Sequence, residues 1–386
     1  MEKIFDVLIL GAGASGLMCA GELQHSSNLH VALIEGSDRP AQKLKISGGG
    51  KCNITNVNVT AEHFLGDELF IQSVLKQYGK EELLKFLHVN GIELELRKER
   101  YYFCKKSSNE IISLLLKRAK GTEFFYKHKV ISANFENSVY SVTTQSKTFK
   151  TKKLVIATGG ESFKNIGASD IGLKVASKFE LSSTVFTPAL VGLTVQKEQF
   201  WMKELSGVSC MVNIHVNSKT IEEELLFAHK GISGPAVLSA SLYWKKGELC
   251  IDFLPHNNVD AIIESSKKLV STAIPLSKRF MKLFLEHINV KDKPCNRLSS
   301  DEKKKLMRLK NYCFSPAGNF GFSKAEVSRG GVCTNDLHVE SLMSKKQDEL
   351  YFIGEVVDVT GELGGYNFQW AFSSAVVCAK AIVGKN

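Results

Sequence analysis

No stretch of this 386-residue chain stays apolar for the roughly 20 residues that a membrane-spanning helix needs. No basic segment precedes the first apolar run, and that run, Ile4–Leu10, is too short for the core of a secretory signal. It reads instead as a strand, and a cytoplasmic protein is expected. No C-x-x-C occurs among the nine cysteines, which removes the usual zinc and iron–sulfur signatures, and no metal is expected. An odd cysteine count without an export signal fits reduced thiols. Internal repeats and low-complexity tracts are absent, as is a second complete G-x-G-x-x-G. Residues 256–312 contain no glycine at all.

What is present begins with that first strand. It ends at Gly11-Ala12-Gly13-Ala14-Ser15-Gly16, is followed by a helical stretch, and then by a second apolar run, Val31-Ala32-Leu33-Ile34, closed by Glu35. Strand, glycine turn, helix, strand and acid make a dinucleotide-binding unit. Gly11 makes the tight turn, Gly13 lets backbone approach a pyrophosphate, and Gly16 lets the helix pack closely. The helix N-terminus offers free N–H groups to the phosphates. Glu35 lies 35 − 16 = 19 residues past the last glycine, where an acid can hold both ribose hydroxyls. A carboxylate there repels a 2′-phosphate, so an unphosphorylated adenosine ribose is expected.

Two later segments can converge on the same ligand. Leu154-Val155-Ile156 is a buried strand that stops at Ala157-Thr158-Gly159-Gly160, where glycines let backbone come close. Leu350-Tyr351-Phe352-Ile353 stops at Gly354-Glu355, and Asp358 follows. Gly364-Gly365 then opens a helix at Tyr366-Asn367. Such a helix terminus can face the pyrimidine end of a flavin and stabilise charge on the reduced ring. Three segments in this order favour FAD over NAD as the tightly held cofactor.

The length allows two or three domains, and 44% apolar residues supply a core. Composition shifts place boundaries near 190, 255, 315 and 335. A first part of an FAD-binding domain covers 1–190, and its closing part covers 336–386. Between them lie a strand-rich insert at 191–255, a helical subdomain at 256–314 and a strand-rich return at 315–335. Residues 123–150 read as a small antiparallel meander. The net charge is +10, and 255–314 alone carries thirteen Lys/Arg against six Asp/Glu, 13 − 6 = +7. That stretch is either a surface for an acidic partner such as RNA or a solvated helical face. No aromatic pattern is interleaved with its lysines, which favours the solvated face.

Four phrases carry a resemblance: Lys43-Leu44-Lys45-Ile46-Ser47-Gly48-Gly49-Gly50-Lys51-Cys52-Asn53, His229-Lys230-Gly231-Ile232-Ser233-Gly234-Pro235-Ala236, Gly354-Glu355-Val356-Val357-Asp358 and Gly364-Gly365-Tyr366-Asn367-Phe368-Gln369-Trp370-Ala371. The chain resembles the BaiN-like, or YhiN-like, flavoproteins, also labelled aminoacetone oxidase-like or dehydro-bile-acid reductase-like. The resemblance runs nearly end to end. It implies an α/β fold: a glutathione-reductase-type, Rossmann-like FAD-binding domain with an inserted β-barrel-like domain carrying a small helical subdomain. The expected cofactor set is Gly11, Gly13, Ala14, Ser15, Gly16, Glu35, Lys43, Ser47, Gly48, Gly49, Lys51, Cys52, Asn53, Val130, Ala157–Gly160, Gly354, Glu355, Asp358 and Gly364–Asn367.

Cys52, His229 and Tyr366 are the catalytic candidates. Cys52 is either a redox thiol or a packed one, and the lack of a nearby partner cysteine favours packing. His229 is either an acid or a structural histidine. Tyr366 either donates a proton or covers the ring. The expected function is an FAD-dependent oxidoreductase passing a hydride through flavin N5 to or from a small molecule, with NAD(P)H as a transient donor. The rival is a flavin-dependent RNA-modifying or RNA-binding protein that uses the basic helical insert.

Overall fold

Four consecutive residues of the first strand, Val7, Leu8, Ile9 and Leu10, are each at most 1% exposed. A strand with both faces covered is apolar throughout instead of alternating, and it sits in the middle of a parallel sheet. The structure, a computed structural model, bears this out for β1 (Ile4–Leu10) and describes residues 3–384. The helix α1 (Ala14–Ser26) leads to β2 (Val31–Ile34), which pairs with β1 in parallel. Later come β3 (Glu123–Phe125), β4 (Val130–Glu136), β5 (Val139–Thr144), β6 (Thr148–Ile156) and β7 (Leu350–Phe352).

The spatial order is β3-β2-β1-β6-β5-β4, with β7 also paired to β6. The strands β3, β2, β1, β6 and β7 pair in parallel, whereas β5 and β4 fold back as an antiparallel meander. The last helix, Tyr366–Ile382, packs on α1 and is buried along most of its length. Its polar residues are satisfied inside. Gln369 accepts from Thr55 Oγ1 at 2.6 Å, and Trp370 Nε1 donates to the Gly354 carbonyl at 3.1 Å. Ser374 Oγ accepts from Gly354 N–H at 2.9 Å. A buried polar group is tolerated only when paired in this way.

The chain divides into two compact units: residues up to Thr187 together with Val327 onward, and Pro188–Glu326. The second unit has a seven-stranded antiparallel sheet. Its order is Tyr312–Phe314, Leu249–Asp252, Ser209–Val216, Lys219–Ala228, Gly231–Ser233, Leu193–Thr194 and Gly318–Asn319. The glycine-free stretch forms four short helices, Val259–Ser265, Val270–Ala273, Lys278–His287 and Ser300–Leu306. The side chains of Asn258, Ser277 and Ser299 cap three of them by accepting from a backbone N–H of the first turn. One aromatic cluster joins these helices to the sheet. Trp201 meets Phe227, Phe280, Phe284 and Tyr312, and its Nε1 donates to the Tyr312 hydroxyl at 3.1 Å.

The expectation of reduced thiols throughout needs one correction. Cys250 and Cys313 face each other across an antiparallel strand pair and form a disulfide. Their separation of 63 residues left no spacing signal in the sequence. The bond closes a loop that holds every helix of the lobe, so the entropy lost by the unfolded chain is large. Reduction is expected to destabilise the second unit by up to about 4 kcal/mol. Unfolding midpoints of wild type and Cys250→Ser, with and without reductant, check this. Equal midpoints would mean that the bond does not stabilise the unit.

Candidate functional site

The glycine turn after β1 combines two tight positions with one open one. Gly11 has φ +106°, and a Cβ there would stand 2.4 Å from the Ala157 carbonyl oxygen. A Cβ on Gly16 would stand 1.9 Å from the Gly11 carbonyl oxygen. These two glycines let the turn, α1 and the end of β6 close on one another. Gly13 differs, because nothing lies within 4 Å of where its Cβ would be. It is the N-cap of α1 and supplies no side-chain cap, so the N–H groups of Ala14 and Ser15 are left to something outside the helix.

Glu35 stands at the end of β2 beside this turn. One carboxylate oxygen accepts from Ala12 N–H at 2.9 Å, and the other accepts from Ser37 N–H and Oγ at 2.8 and 2.7 Å. The acid is therefore pinned before any ligand arrives. Val130 opens β4 and is half-buried. Two residues before it, His128 N–H donates to the Glu35 carbonyl at 3.0 Å.

Ala157, Thr158, Gly159 and Gly160 leave β6 next to the glycine turn, and Ala157 N–H donates to the Leu10 carbonyl at 2.8 Å. Thr158 Oγ1 is buried with no hydrogen-bond partner. Glu355 reaches this place from beyond β7. It accepts twice from Lys43 Nζ, at 2.8 and 3.0 Å, and once from Ser328 N–H at 2.7 Å. Gly159 is close enough that its Cβ would lie 3.6 Å from Glu355. Gly354 packs on Ser15 of α1. Lys43, Gly159, Gly354 and Glu355, far apart in sequence, are thus gathered around the start of α1. Asp358 lies further along, where its N–H donates to the Val332 carbonyl at 2.9 Å.

The Ser47–Asn53 loop forms a run of left-handed backbone, with Gly48, Gly49, Gly50 and Cys52 at φ +56°, +66°, +86° and +46°. Cβ atoms on Gly49 and Gly50 would meet nothing within 4 Å. Ser47 Oγ donates back to the Leu44 carbonyl. Lys51 turns to the surface and pairs with Glu95 at 3.7 Å. Asn53 begins the strand Asn53–Asn56, and its Oδ1 is buried without a partner.

Cys52 is fully buried, and burial pushes its thiol far above the ordinary range. Cys104 is placed beside it by backbone hydrogen bonds and is itself pushed up to about 12 by burial. Both are therefore thiols, not thiolates, at neutral pH, and a thiol is a poor nucleophile. Iodoacetamide at pH 8 is expected to leave both unlabelled in the native protein and to label them once the chain is unfolded. Peptide mass mapping checks this, and rapid labelling of Cys52 would restore it as a reactive thiol.

The last helix starts at this same strand. Gly364 and Gly365 have φ +133° and +94°. A Cβ on Gly365 would stand 2.7 Å from the Thr55 backbone, and Asn56 Nδ2 donates to the Gly364 carbonyl at 3.0 Å. Gly365 supplies no side-chain cap, which makes this a second helix terminus with free N–H groups. Tyr366 is buried, and burial raises its phenol well above the ordinary value. The Asn367 side chain turns back, with Oδ1 accepting from Gly361 N–H at 2.9 Å and Nδ2 donating to its carbonyl at 2.8 Å. It holds a turn and offers only its backbone to a ligand.

Residues 5–381 match the HI0933-like protein Rossmann domain family. The chain belongs to that family. HI0933-like proteins of this kind are FAD-dependent oxidoreductases. The chain is 34% identical over 397 residues to the ribosomal RNA dihydrouridine synthase of Escherichia coli (strain K12), covering 99% of both chains. It is 27% identical over 402 residues to the 3-dehydro-bile acid delta(4,6)-reductase of Clostridium scindens, covering 97% of this chain and 98% of the relative. Among solved structures, the open conformation of a flavocytochrome c3 fumarate reductase shares the fold at TM-score 0.50 and 16% identity. That match covers 99% of this chain and 78% of the other.

The HI0933-like chain also has partners that linear reading missed. His63 stacks on Tyr366 with ring centroids 4.7 Å apart, and its Nδ1 lies 3.1 Å from Glu362. The Glu362 N–H donates to the His63 carbonyl. The two residues are 299 positions apart, so no local motif joins them. His229, by contrast, sits in the second unit on the exposed turn between the strands Lys219–Ala228 and Gly231–Ser233.

Proposed function

We propose that this chain reduces the C5=C6 bond of uridine in ribosomal RNA, with FAD held by the first unit. The observation that carries the reading is the end-to-end likeness to a ribosomal RNA dihydrouridine synthase, 34% identical across 99% of both chains. The second relative's name describes a related reduction, since a 3-oxo-Δ4,6 steroid is also an alkene conjugated to a carbonyl. Conjugate addition of a hydride to an electron-poor alkene, followed by protonation of the resulting enolate, covers both.

The residues fit FAD. Two uncapped helix termini, at Gly13 and Gly365, suit its pyrophosphate and the O2 edge of its ring. Open space at Gly13, Gly49 and Gly50 and the orphaned Thr158 Oγ1 and Asn53 Oδ1 leave room and hydrogen-bonding capacity for a polar ligand. Glu35 would hold the adenosine ribose. Lys43, kept in place by Glu355, would add positive charge near the phosphates. A reduced flavin bound there would supply the hydride that uracil C6 accepts, with a proton added at C5. Burial keeps Tyr366 protonated, and as the first residue of the last helix it is the proton donor we assign. NAD(P)H is the proposed reductant.

The test is to incubate the purified protein with FAD, NADPH or NADH and unmodified ribosomal RNA, and to look for nucleosides heavier by two hydrogens. Dihydrouridine formation that stops without nicotinamide or FAD supports the reading. Reoxidation of the flavin by a 3-oxo-Δ4,6 steroid but not by RNA would favour the small-molecule reading, which the bile-acid relative supports.

A further inference from the structure

We propose that the helical lobe of the second unit is a phosphate-binding surface on which ribosomal RNA docks through its backbone. The inference rests on the reading of RNA as substrate and adds where on the chain RNA is held.

The argument begins with how the lobe spends its charges. Several acids are used inside it. Asp292 accepts from Ser271 N–H and Oγ at 3.1 and 2.6 Å. Glu302 accepts from Ser299 N–H at 2.8 Å and pairs with Lys293 at 2.8 Å. Asp301 pairs with Lys305, and Asp252 of the adjoining strand pairs with Lys310. These acids cap turns and hold lysines, so they contribute little free negative field. Asp260, Glu264 and Glu286 remain exposed.

The cations are disposed differently. Lys267, Lys268, Lys278, Lys282, Lys291 and Arg297 are all exposed and have no protein partner among the described residues. Four of them come from two segments that the backbone sets side by side. Leu269 bridges Pro294, Val270 N–H donates to the Lys293 carbonyl at 3.1 Å, and Cys295 N–H donates to the Lys268 carbonyl at 3.0 Å. Lys267 and Lys268 therefore lie next to Lys291 and Arg297. Lys278 and Lys282 are one helical turn apart on Lys278–His287, and both are exposed. A protein that had only to stay soluble would gain by pairing these charges with the acids available. Here Asp292, Asp301 and Glu302 are committed elsewhere and the six cations face water, as a polyanion-binding surface requires.

The nature of the surface also limits what it can read. No tryptophan, tyrosine or phenylalanine is exposed among these residues, and Leu269, at 44%, is the exposed large apolar side chain there. Base stacking is therefore not available, whereas hydrogen bonds and ion pairs to phosphate are. The lobe would supply affinity and leave choice of the uridine to other parts of the protein.

The experiment uses full-length, FAD-loaded protein and a fluorescein-labelled ribosomal RNA hairpin. Affinity is measured across a salt series for wild type and for a variant with Lys267→Gln, Lys268→Gln, Lys291→Gln and Arg297→Gln. The expected result is weaker binding and a shallower plot of log K against log salt, by roughly 0.7–0.9 for each phosphate that the variant no longer neutralises. KM for RNA should rise, with kcat at saturating RNA unchanged. A control variant, Lys76→Gln with Lys85→Gln in the first unit, should keep the wild-type slope. The same slope and affinity in the lobe variant, or an equal fall in the control, would overturn the proposal. Dihydrouridine formation in wild type is scored separately. If it is absent while the lobe variant still shows weakened, less salt-dependent binding, the substrate reading falls and the docking surface stands.

Discussion

Gly13→Val is expected to fold normally and to lose FAD, whereas Gly11→Val is expected not to fold. The two glycines are two residues apart in one turn, yet the space around them is opposite in kind. Nothing lies within 4 Å of a Cβ on Gly13, and its φ of −77° suits any L residue. The apo protein should therefore keep its stability within roughly 1 kcal/mol. The side chain would nevertheless fill the space over the N–H groups of α1. Losing two charge-assisted hydrogen bonds at roughly 1.5–3 kcal/mol each lowers FAD affinity by at least about a hundredfold. Gly11 combines φ +106° with a Cβ position 2.4 Å from a backbone oxygen at the end of β6. Neither the dihedral nor the neighbour can relax without opening the centre of the sheet. Thermal unfolding of the apo proteins and titration with FAD decide the matter. If Gly13→Val purifies with a full complement of FAD, the turn does not hold the pyrophosphate.

Gly365→Asp is expected to abolish FAD binding, and Gly364→Ala to weaken it far less. At Gly365 the left-handed φ of +94° costs a non-glycine residue roughly 1–2 kcal/mol. The new Cβ would also meet the N, Cα and C atoms of Thr55 at 2.7 Å. Those atoms belong to the strand Asn53–Asn56, so the clash moves backbone and with it the buried Asn53 Oδ1. Gly364, at φ +133°, would carry a similar backbone strain, but its nearest atoms belong to the side chains of Tyr101 and Asn56, at 2.8 and 3.0 Å, and side chains can yield. Any Gly365→Asp protein that still binds FAD should show a lower flavin potential. The carboxylate opposes the positive end of the last helix, an effect of about 1 kcal/mol or roughly 20 mV for a two-electron couple. FAD titration and redox titration measure both. Equal affinity and potential in Gly365→Asp and wild type would place the last helix away from the flavin.

Much of the first unit could be read from periodicity alone. β1, β2 and the second half of β6 are continuous apolar runs because both faces are covered, and a glycine-bearing turn follows each of them. Helical patterning runs through Phe70–Asn90, and the structure divides it into two helices, Glu68–Gln77 and Lys80–Val89, broken at Tyr78-Gly79. Glycine in a helical pattern is a weak breaker, and only the observed capping of Gly79 N–H by Glu82 shows the second start.

The dinucleotide-binding unit, its succession of strand, turn, helix and strand, and the family are all legible in the amino-acid order, because a close-packed glycine turn and a doubly buried strand tolerate few residue types. Tertiary structure alone decided which distant residues meet. It placed Lys43 on Glu355, 312 positions apart, and His63 under Tyr366. It turned the Asn367 side chain into a local tether, paired Lys51 with Glu95, and joined Cys250 to Cys313. These are meetings of side chains whose own sequence neighbourhoods do not specify them. Each depends on where two backbones pass after the sheet has formed, and that information is not local to any one segment of the chain.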